Sequence, residues 1–214
     1  MDSNTAIGII PVLKSEIEIH KIIVRTDYHV DASTTGIARL KSEDKILDVM
    51  KNTYYNPKVV KAGIPRLKSE TKIMEMIEET KYDRAVSEVG IKQLSVQARI
   101  LNIMHETNYN PEVVEAGIPR LKLSEKSEIQ LLKIMKDTEY DVIICEAGIV
   151  LLTNPTKVLD IMKKSQYKWQ VVKAGMPKLK TEKQILFAMD QTDHDSEVCN
   201  AGVKALANLN KKVR

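Results

Sequence analysis

Every glycine in this chain falls on the same position of one internal repeat. The eight glycines are Gly8, Gly36, Gly63, Gly90, Gly117, Gly148, Gly175 and Gly202. Successive glycines are 28, 27, 27, 27, 31, 27 and 27 residues apart, so one period runs through nearly all 214 residues. A fixed period of this length is typical of proteins built from stacked structural units. The sequence therefore predicts one domain, residues 1–214, whose units are centred on these glycines.

The segment around each glycine has the pattern of an amphipathic helix, which we call the B helix. Around Gly117, apolar residues stand four before it, one after it and four after it, as Val113, Ile118 and Leu121. This spacing places them on one face of an α-helix. Asn110-Pro111 precedes the segment; Asn is a preferred N-cap residue and Pro is favoured at the first helical position.

A second amphipathic helix, the A helix, is predicted between successive glycines. Ile73, Met74, Met76 and Ile77 follow the spacing i, i+1, i+3 and i+4 of one helical stripe, and Ser69 precedes them as a cap. A helix of about three turns is marginal alone in water, so each unit must bury its stripe on its neighbours. With eight B and seven A helices, the predicted fold is all-α, a right-handed α-solenoid of about seven antiparallel helix pairs.

The recurrent glycine has two possible structural roles. A glycine inside a helix costs about 1 kcal/mol relative to alanine, which suggests that a neighbouring helix approaches closely there. The alternative is a left-handed residue that ends the helix. Ala38, Lys92 and Val150 occupy the column that holds Pro65 or Pro119 in other units. This variation favours a helix that continues through the glycine and is sometimes kinked by proline.

The pattern Asn110-Pro111-Glu112-Val113, followed by Ala116-Gly117 and Leu121, resembles the HEAT-like repeats, including the short bilin-lyase type. Leucine-rich-variant repeats are a near alternative. HEAT repeats often carry Arg after the B-helix Val, where this chain has Val60, Val114 or Cys145, so no Arg–Asp ladder is expected. The resemblance implies an interaction scaffold.

Composition and charge argue against several other classes. The formal net charge of +4 does not by itself imply binding to nucleic acid or membrane. No apolar run approaches the roughly 20 residues that span a bilayer, and residues 1–6 lack the pattern of a signal peptide. Two cysteines provide no disulfide framework. We expect an intracellular, cytoplasmic protein without a membrane partner.

Catalytic and metal-binding patterns are missing from the sequence. The four histidines are far apart, and no pair has metal-ligand spacing. Deoxyhypusine-hydroxylase-like HEAT proteins use several His-Glu pairs, whereas only His105-Glu106 fits here. Cys145 and Cys199 stand in an apolar column. We therefore predict no catalytic residues, no metal, no cofactor and no small-molecule substrate: the chain is not expected to be an enzyme.

Candidate partner-binding residues form a basic column and an aromatic pair. Basic residues stand three and five positions after the glycine: Arg39, Lys41, Arg66, Lys68, Arg120, Lys122, Lys178 and Lys180. They form either a binding ridge or cations that complement helix dipoles at helix C-termini. Trp169 and Phe187 occupy columns that are mostly polar elsewhere. Each side chain either packs locally or is an interface anchor.

A tyrosine recurs between the A and B helices of six units. The six residues are Tyr28, Tyr55, Tyr82, Tyr109, Tyr140 and Tyr167. The ring either plugs the junction with its hydroxyl at the rim, or contributes to a ladder of exposed rings.

These observations favour a non-catalytic protein–protein interaction scaffold that uses an extended solenoid surface to hold a protein or peptide partner. Nucleic-acid binding along the basic ridge is one alternative, and a regulatory or lyase-type enzyme subunit is another.

Overall fold

The computed structural model describes residues 1–121 and 124–212, excluding the side chains of residues 125–127 and 212. Over this part the chain forms fifteen α-helices and no β-strand, which confirms the all-α prediction. No helix in the described ranges is both long and apolar enough to cross a membrane.

Helices of the two predicted types alternate along the chain. The glycine-bearing B helices are α1 (Ser3–Ile9), α3 (Val30–Ile37), α5 (Pro57–Gly63), α7 (Arg84–Ile91), α9 (Pro111–Gly117), α11 (Val142–Ile149), α13 (Trp169–Gly175) and α15 (Ser196–Lys212). The A helices are α2 (Glu16–Arg25), α4 (Glu43–Asn52), α6 (Glu70–Glu79), α8 (Gln97–Glu106), α10 (Glu125–Asp137), α12 (Pro155–Lys164) and α14 (Glu182–Asp190).

Short polar side chains start most of these helices. The Ser69 hydroxyl accepts from the backbone N–H of Lys72, the third residue of α6. At α7, the Asp83 carboxylate accepts from the N–H groups of Ala85 and Val86. The first N–H groups of a helix have no intrahelical partner, so these caps satisfy donors that would otherwise be free.

Each A helix ends in a turn of two consecutive left-handed residues, and the second is the recurrent tyrosine in six units. At the end of α4, Tyr54 and Tyr55 have φ of 50° and 53°. The Tyr55 N–H then donates to the carbonyl of Met50 at 2.9 Å. This bond satisfies a terminal carbonyl of the helix and reverses the chain into the next B helix.

The glycines lie in right-handed helical backbone, and none of the eight has a positive φ. Gly63 has φ −87° and ψ −50°, and the chain tightens after it into a 3₁₀ turn, Ile64–Arg66, that contains Pro65. The left-handed alternative is therefore wrong. A Cβ added to Gly63 would lie 2.7 Å from both Ile37 Cδ1 and Met50 Sδ, so the glycine marks the predicted close approach of neighbouring helices.

The residues cluster into two compact units, Met1–Arg120 and Leu121–Arg214. In the first unit, contacts run between successive B helices from α1 to α9, and α2, α4, α6 and α8 each pack on the B helix that follows. In the second unit, α11, α13 and α15 pack in succession, and α10, α12 and α14 pack on them in the same manner. The apolar stripes of both helix types are buried in these contacts, as Ile46 and Val59 show.

Candidate functional site

The arginines of the basic column bind backbone carbonyls of the preceding repeat. Arg39 donates through Nη1 to the carbonyl of Ile10 and through Nη2 to that of Leu13, both at 2.7 Å. Arg66 donates through Nε and Nη2 to the carbonyl of Leu40, at 3.1 and 2.8 Å. These carbonyls lie where the preceding B segment ends and intrahelical donors run out. That of Ile10 also accepts from the Leu13 N–H at 3.3 Å.

Arg120 repeats this arrangement with the carbonyl of Leu94, at 3.2 Å from Nε and 3.1 Å from Nη2. The guanidinium groups of all three arginines therefore donate to the backbone of the preceding repeat, although Arg66 and Arg120 are exposed residues. Their role is more specific than attraction to a helix dipole, because each planar guanidinium directs two donors, at two carbonyls for Arg39 and at one carbonyl for Arg66 and Arg120.

The lysines of the basic column are in a different situation. Lys41, Lys68 and Lys180 are exposed, and within the described residues their ammonium groups have no ion-pair partner. Lys178 is half-buried, and Lys122 lies outside the described residues. Among the described residues, the predicted column thus splits into arginines that link repeats, three exposed lysines, and the half-buried Lys178.

A glutamate ladder, which the sequence analysis did not identify, also joins successive repeats; it comprises Glu16, Glu43, Glu70 and Glu128. Glu43 Oε1 accepts from the backbone N–H groups of Lys68 at 2.5 Å and Ser69 at 3.2 Å. Its Oε2 lies 3.4 Å from the ammonium group of Lys72. At Glu128, the ammonium group of Lys157 is 3.0 Å from Oε2. The signal in the sequence was a basic residue 29 positions after each glutamate.

Hydrogen bonding holds the pKa values of three of these carboxyls below their ordinary range. The backbone N–H of Lys68 is the main cause for Glu43, and that of Ser42 is the main cause for Glu16. The Ser95 hydroxyl is the main cause for Glu70. In each case the donor favours the ionised carboxylate.

Acidification is expected to weaken the folded state through these three carboxyls. As pH falls through the ordinary glutamate value of 4.5, the unfolded chain binds protons before the folded chain does. The stabilisation is therefore complete above that pH and is lost as pH falls toward the lowered pKa values. In the triple variant Glu16→Gln, Glu43→Gln, Glu70→Gln, the free energy of unfolding should change less between about pH 6 and 3.5.

Urea denaturation at a series of pH values measures this dependence. The control is Glu75→Gln, a substitution at an exposed position of α6 outside the glutamate ladder. A triple variant whose pH profile matched that of the wild type would exclude the ladder as a source of acid sensitivity.

The tyrosine hydroxyls reach the A helix of the following repeat. Tyr28 donates to Asp48 Oδ2 at 2.9 Å, and Tyr55 donates to Glu79 Oε2 at 2.8 Å. Burial, followed by the Asp48 hydrogen bond, raises the pKa of Tyr28 to about 12. Both rings are half-buried. This is the arrangement of a ring that fills the junction while its hydroxyl stays at the rim.

The side chains of the two candidate aromatic anchors are substantially exposed to solvent. Trp169 begins α13 and is 42% exposed, and the ammonium group of Lys173 lies 5.6 Å from its ring centroid. Phe187 lies on α14 and is 46% exposed, and its ring meets that of Tyr167 edge-on at 6.2 Å between centroids. Each side chain is thus positioned by one neighbour and still presents apolar surface.

An open concavity of about 860 Å³ lies beside Phe187. Its lining includes Glu182, Lys183, Leu186, Phe187, Asp190 and His194. Leu186 is 47% exposed, so the floor of the concavity is apolar and its margins are charged. The sequence analysis missed this concavity because Leu186 belongs to an apolar column that is partly or fully covered in the preceding units.

The cysteine and histidine side chains considered for catalysis or metal binding lie in environments that do not favour either role. Burial raises the pKa of the Cys145 thiol to about 12, which disfavours the reactive thiolate. His105 Nδ1 lies 3.3 Å from Glu106 Oε1 at an exposed site. No group of three or more His, Cys, Asp or Glu side chains that could hold a metal ion occurs in residues 1–121 and 124–212, side chains 125–127 and 212 excluded.

Comparisons with models of protein families, with curated proteins and with solved structures gave no match to this chain. The class that the structure defines is an all-α protein in which two types of short helix alternate.

Proposed function

We propose that this protein is a non-catalytic scaffold that binds another protein, and that its helix pairs form a right-handed, HEAT-like α-solenoid. Within each compact unit, successive B helices contact one another and each A helix packs on the B helix that follows. Stacking of this kind produces an elongated surface on which a partner can bind at several points.

Two partly exposed aromatic side chains carry this proposal. Trp169 and Phe187 replace residues that are mostly polar or small in the other repeats, and both keep more than two fifths of their surface accessible. Tryptophan and other large aromatic residues are frequent anchors of protein interfaces because they bury a large area with few rotatable bonds.

The arginine contacts make nucleic-acid binding the weaker alternative. Arg39, Arg66 and Arg120 already donate to backbone carbonyls, so these N–H groups are not available to phosphate oxygens. Neutral carbonyls do not cancel the guanidinium charge, but they leave fewer arginine N–H groups for the direct phosphate contacts on which nucleic-acid affinity depends.

Capture of partners from native lysate, with and without nuclease, tests the proposal. Trp169→Ala and Phe187→Ala should each reduce capture about tenfold or more, as expected for anchors worth at least about 1.4 kcal/mol. The control is Ile143→Ala, which truncates an apolar side chain that is 45% exposed on α11. If nuclease abolished capture and the triple variant Lys41→Glu, Lys68→Glu, Lys180→Glu lost it, nucleic acid would be the partner instead.

A further inference from the structure

The A helices of the first unit show how one face of such a helix is covered. The forward face of α4 comprises Glu43, Asp44, Leu47 and Lys51, and Tyr55 of the following turn extends it. Glu43 and Asp44 pair with Lys72 of α6 at 3.4 and 2.7 Å. Lys51 pairs with Glu79 of the same helix at 2.8 Å. The forward face of α4 is thus the docking surface for the next A helix.

The corresponding face of α14 is open. The equivalent residues in the repeat are Glu182, Lys183, Leu186, Asp190 and His194. All five line the concavity of about 860 Å³. Leu186 is 47% exposed, whereas Met74, its equivalent on α6, is 8% exposed. The face therefore has the residues of a helix-docking surface, and no helix of the described part of the chain covers it.

The covered interfaces also define the chemistry of a helix that would fit this face. Lys45, Lys72, Arg99 and Lys157 are each the third residue of an A helix, and each pairs with a glutamate of the glutamate ladder. Glu182 occupies the same repeat position two units after Glu128, with Pro155 in the unit between them. The helix that fits α14 should therefore carry a cation at its third position and an apolar stripe for Leu186.

We propose that the forward face of α14 binds an amphipathic helix of a partner protein, with a lysine or arginine at its third position paired to Glu182. This inference rests on the proposed function and names its partner class. A second copy of the chain fits less well through its first A helix, because the third residue of α2 is Glu18, which would face Glu182 with like charge.

The chain contains a suitable probe in its own α12. A labelled peptide of residues 153–167 places Lys157 at the third helical position, and the repeat register places Lys164 opposite Asp190 and Asp160 beside His194. The free peptide must fold as it binds, so we expect a dissociation constant of about 10–100 µM for the full chain by fluorescence anisotropy.

Variants of α14 make this test specific. Leu186→Glu and Glu182→Lys should each weaken peptide binding about tenfold or more, and a Lys157→Glu peptide should regain affinity for the Glu182→Lys chain. Lys183 stands where Asp44 pairs with Lys72, so Lys183→Asp should tighten binding. The matched control, Ile143→Glu, introduces the same charge at an exposed residue of α11 and should leave binding unchanged.

Three outcomes would overturn the inference: no binding at about 1 mM peptide, equal binding by the wild type and Leu186→Glu, or no recovery in the charge swap. Concentration-dependent self-association, measured by sedimentation and lost in Leu186→Glu, would assign the face to a second copy instead. Failure of the peptide while capture from lysate still depended on Trp169 would reject this site and leave the proposed scaffold intact.

Discussion

Replacing Gly36 with valine is expected to lower the free energy of unfolding by about 3 kcal/mol. A Cβ at this position would lie 2.5 Å from Ile23 Cδ1 and 2.9 Å from Ile23 Cγ1, and 3.3 Å from Ile19 Cγ2. Both isoleucines are buried on α2, and their β-branched side chains have few alternative rotamers. Helices α2 and α3 would therefore have to separate, and the two further methyl groups of valine enlarge the overlap.

Gly8 offers a control in the same repeat column. It lies in α1, and a Cβ added there would meet nothing within 4 Å. Gly8→Ala should therefore stabilise the protein by up to about 1 kcal/mol through helix propensity. Urea denaturation followed by circular dichroism measures both variants. Equal effects at the two positions would mean that interhelical contact is not what requires glycine in this column.

Replacing Arg39 with methionine is expected to cost about 3 kcal/mol, because two charge-assisted hydrogen bonds are worth about 1.5 kcal/mol each. Methionine preserves much of the apolar stem but leaves the Leu13 carbonyl without the Arg39 donor, and the Ile10 carbonyl with the Leu13 N–H alone. The loss should be largely independent of salt, because the half-buried contact is screened less than an exposed one.

Arg39→Lys separates the carbonyl contacts from simple helix-dipole complementarity. An ammonium group keeps the charge but cannot present the planar pair of donors that reaches both carbonyls, so lysine should recover only part of the loss. The control is Lys41→Met, which removes an exposed cation and should change stability by less than about 0.5 kcal/mol. Full recovery by lysine in chemical denaturation would favour the dipole explanation, which is worth only about 0.3–1 kcal/mol.

The contacts of charged side chains were the main feature that sequence analysis did not predict. Arg39 bonds to Ile10, and Glu43 bonds to Ser69, across 29 and 26 residues. A 27-residue period brings such residues together only after the units stack, and many other charges recur with the same period. The recurrence of glutamate and lysine could have suggested a ladder, but it could not show that the carboxylate accepts mainly from backbone N–H groups.

The exposure of Leu186 could not be predicted for the same reason. Leu186 and Met74 stand in one apolar column, and both belong to a helical stripe. Their different exposures depend on whether another A helix covers the forward face, which is a property of neighbours rather than of the local pattern.

The sequence by itself determined the all-α class and the alternation of the A and B helices. These features follow from local physics: apolar residues at helical spacing, polar caps at helix starts, and segments too short to be stable without packing. The tertiary structure decided the conformation at the glycines, the engagement of the arginines, and the opening of the α14 face. Those three depend on distances between residues far apart in the chain, and only packing fixes such distances.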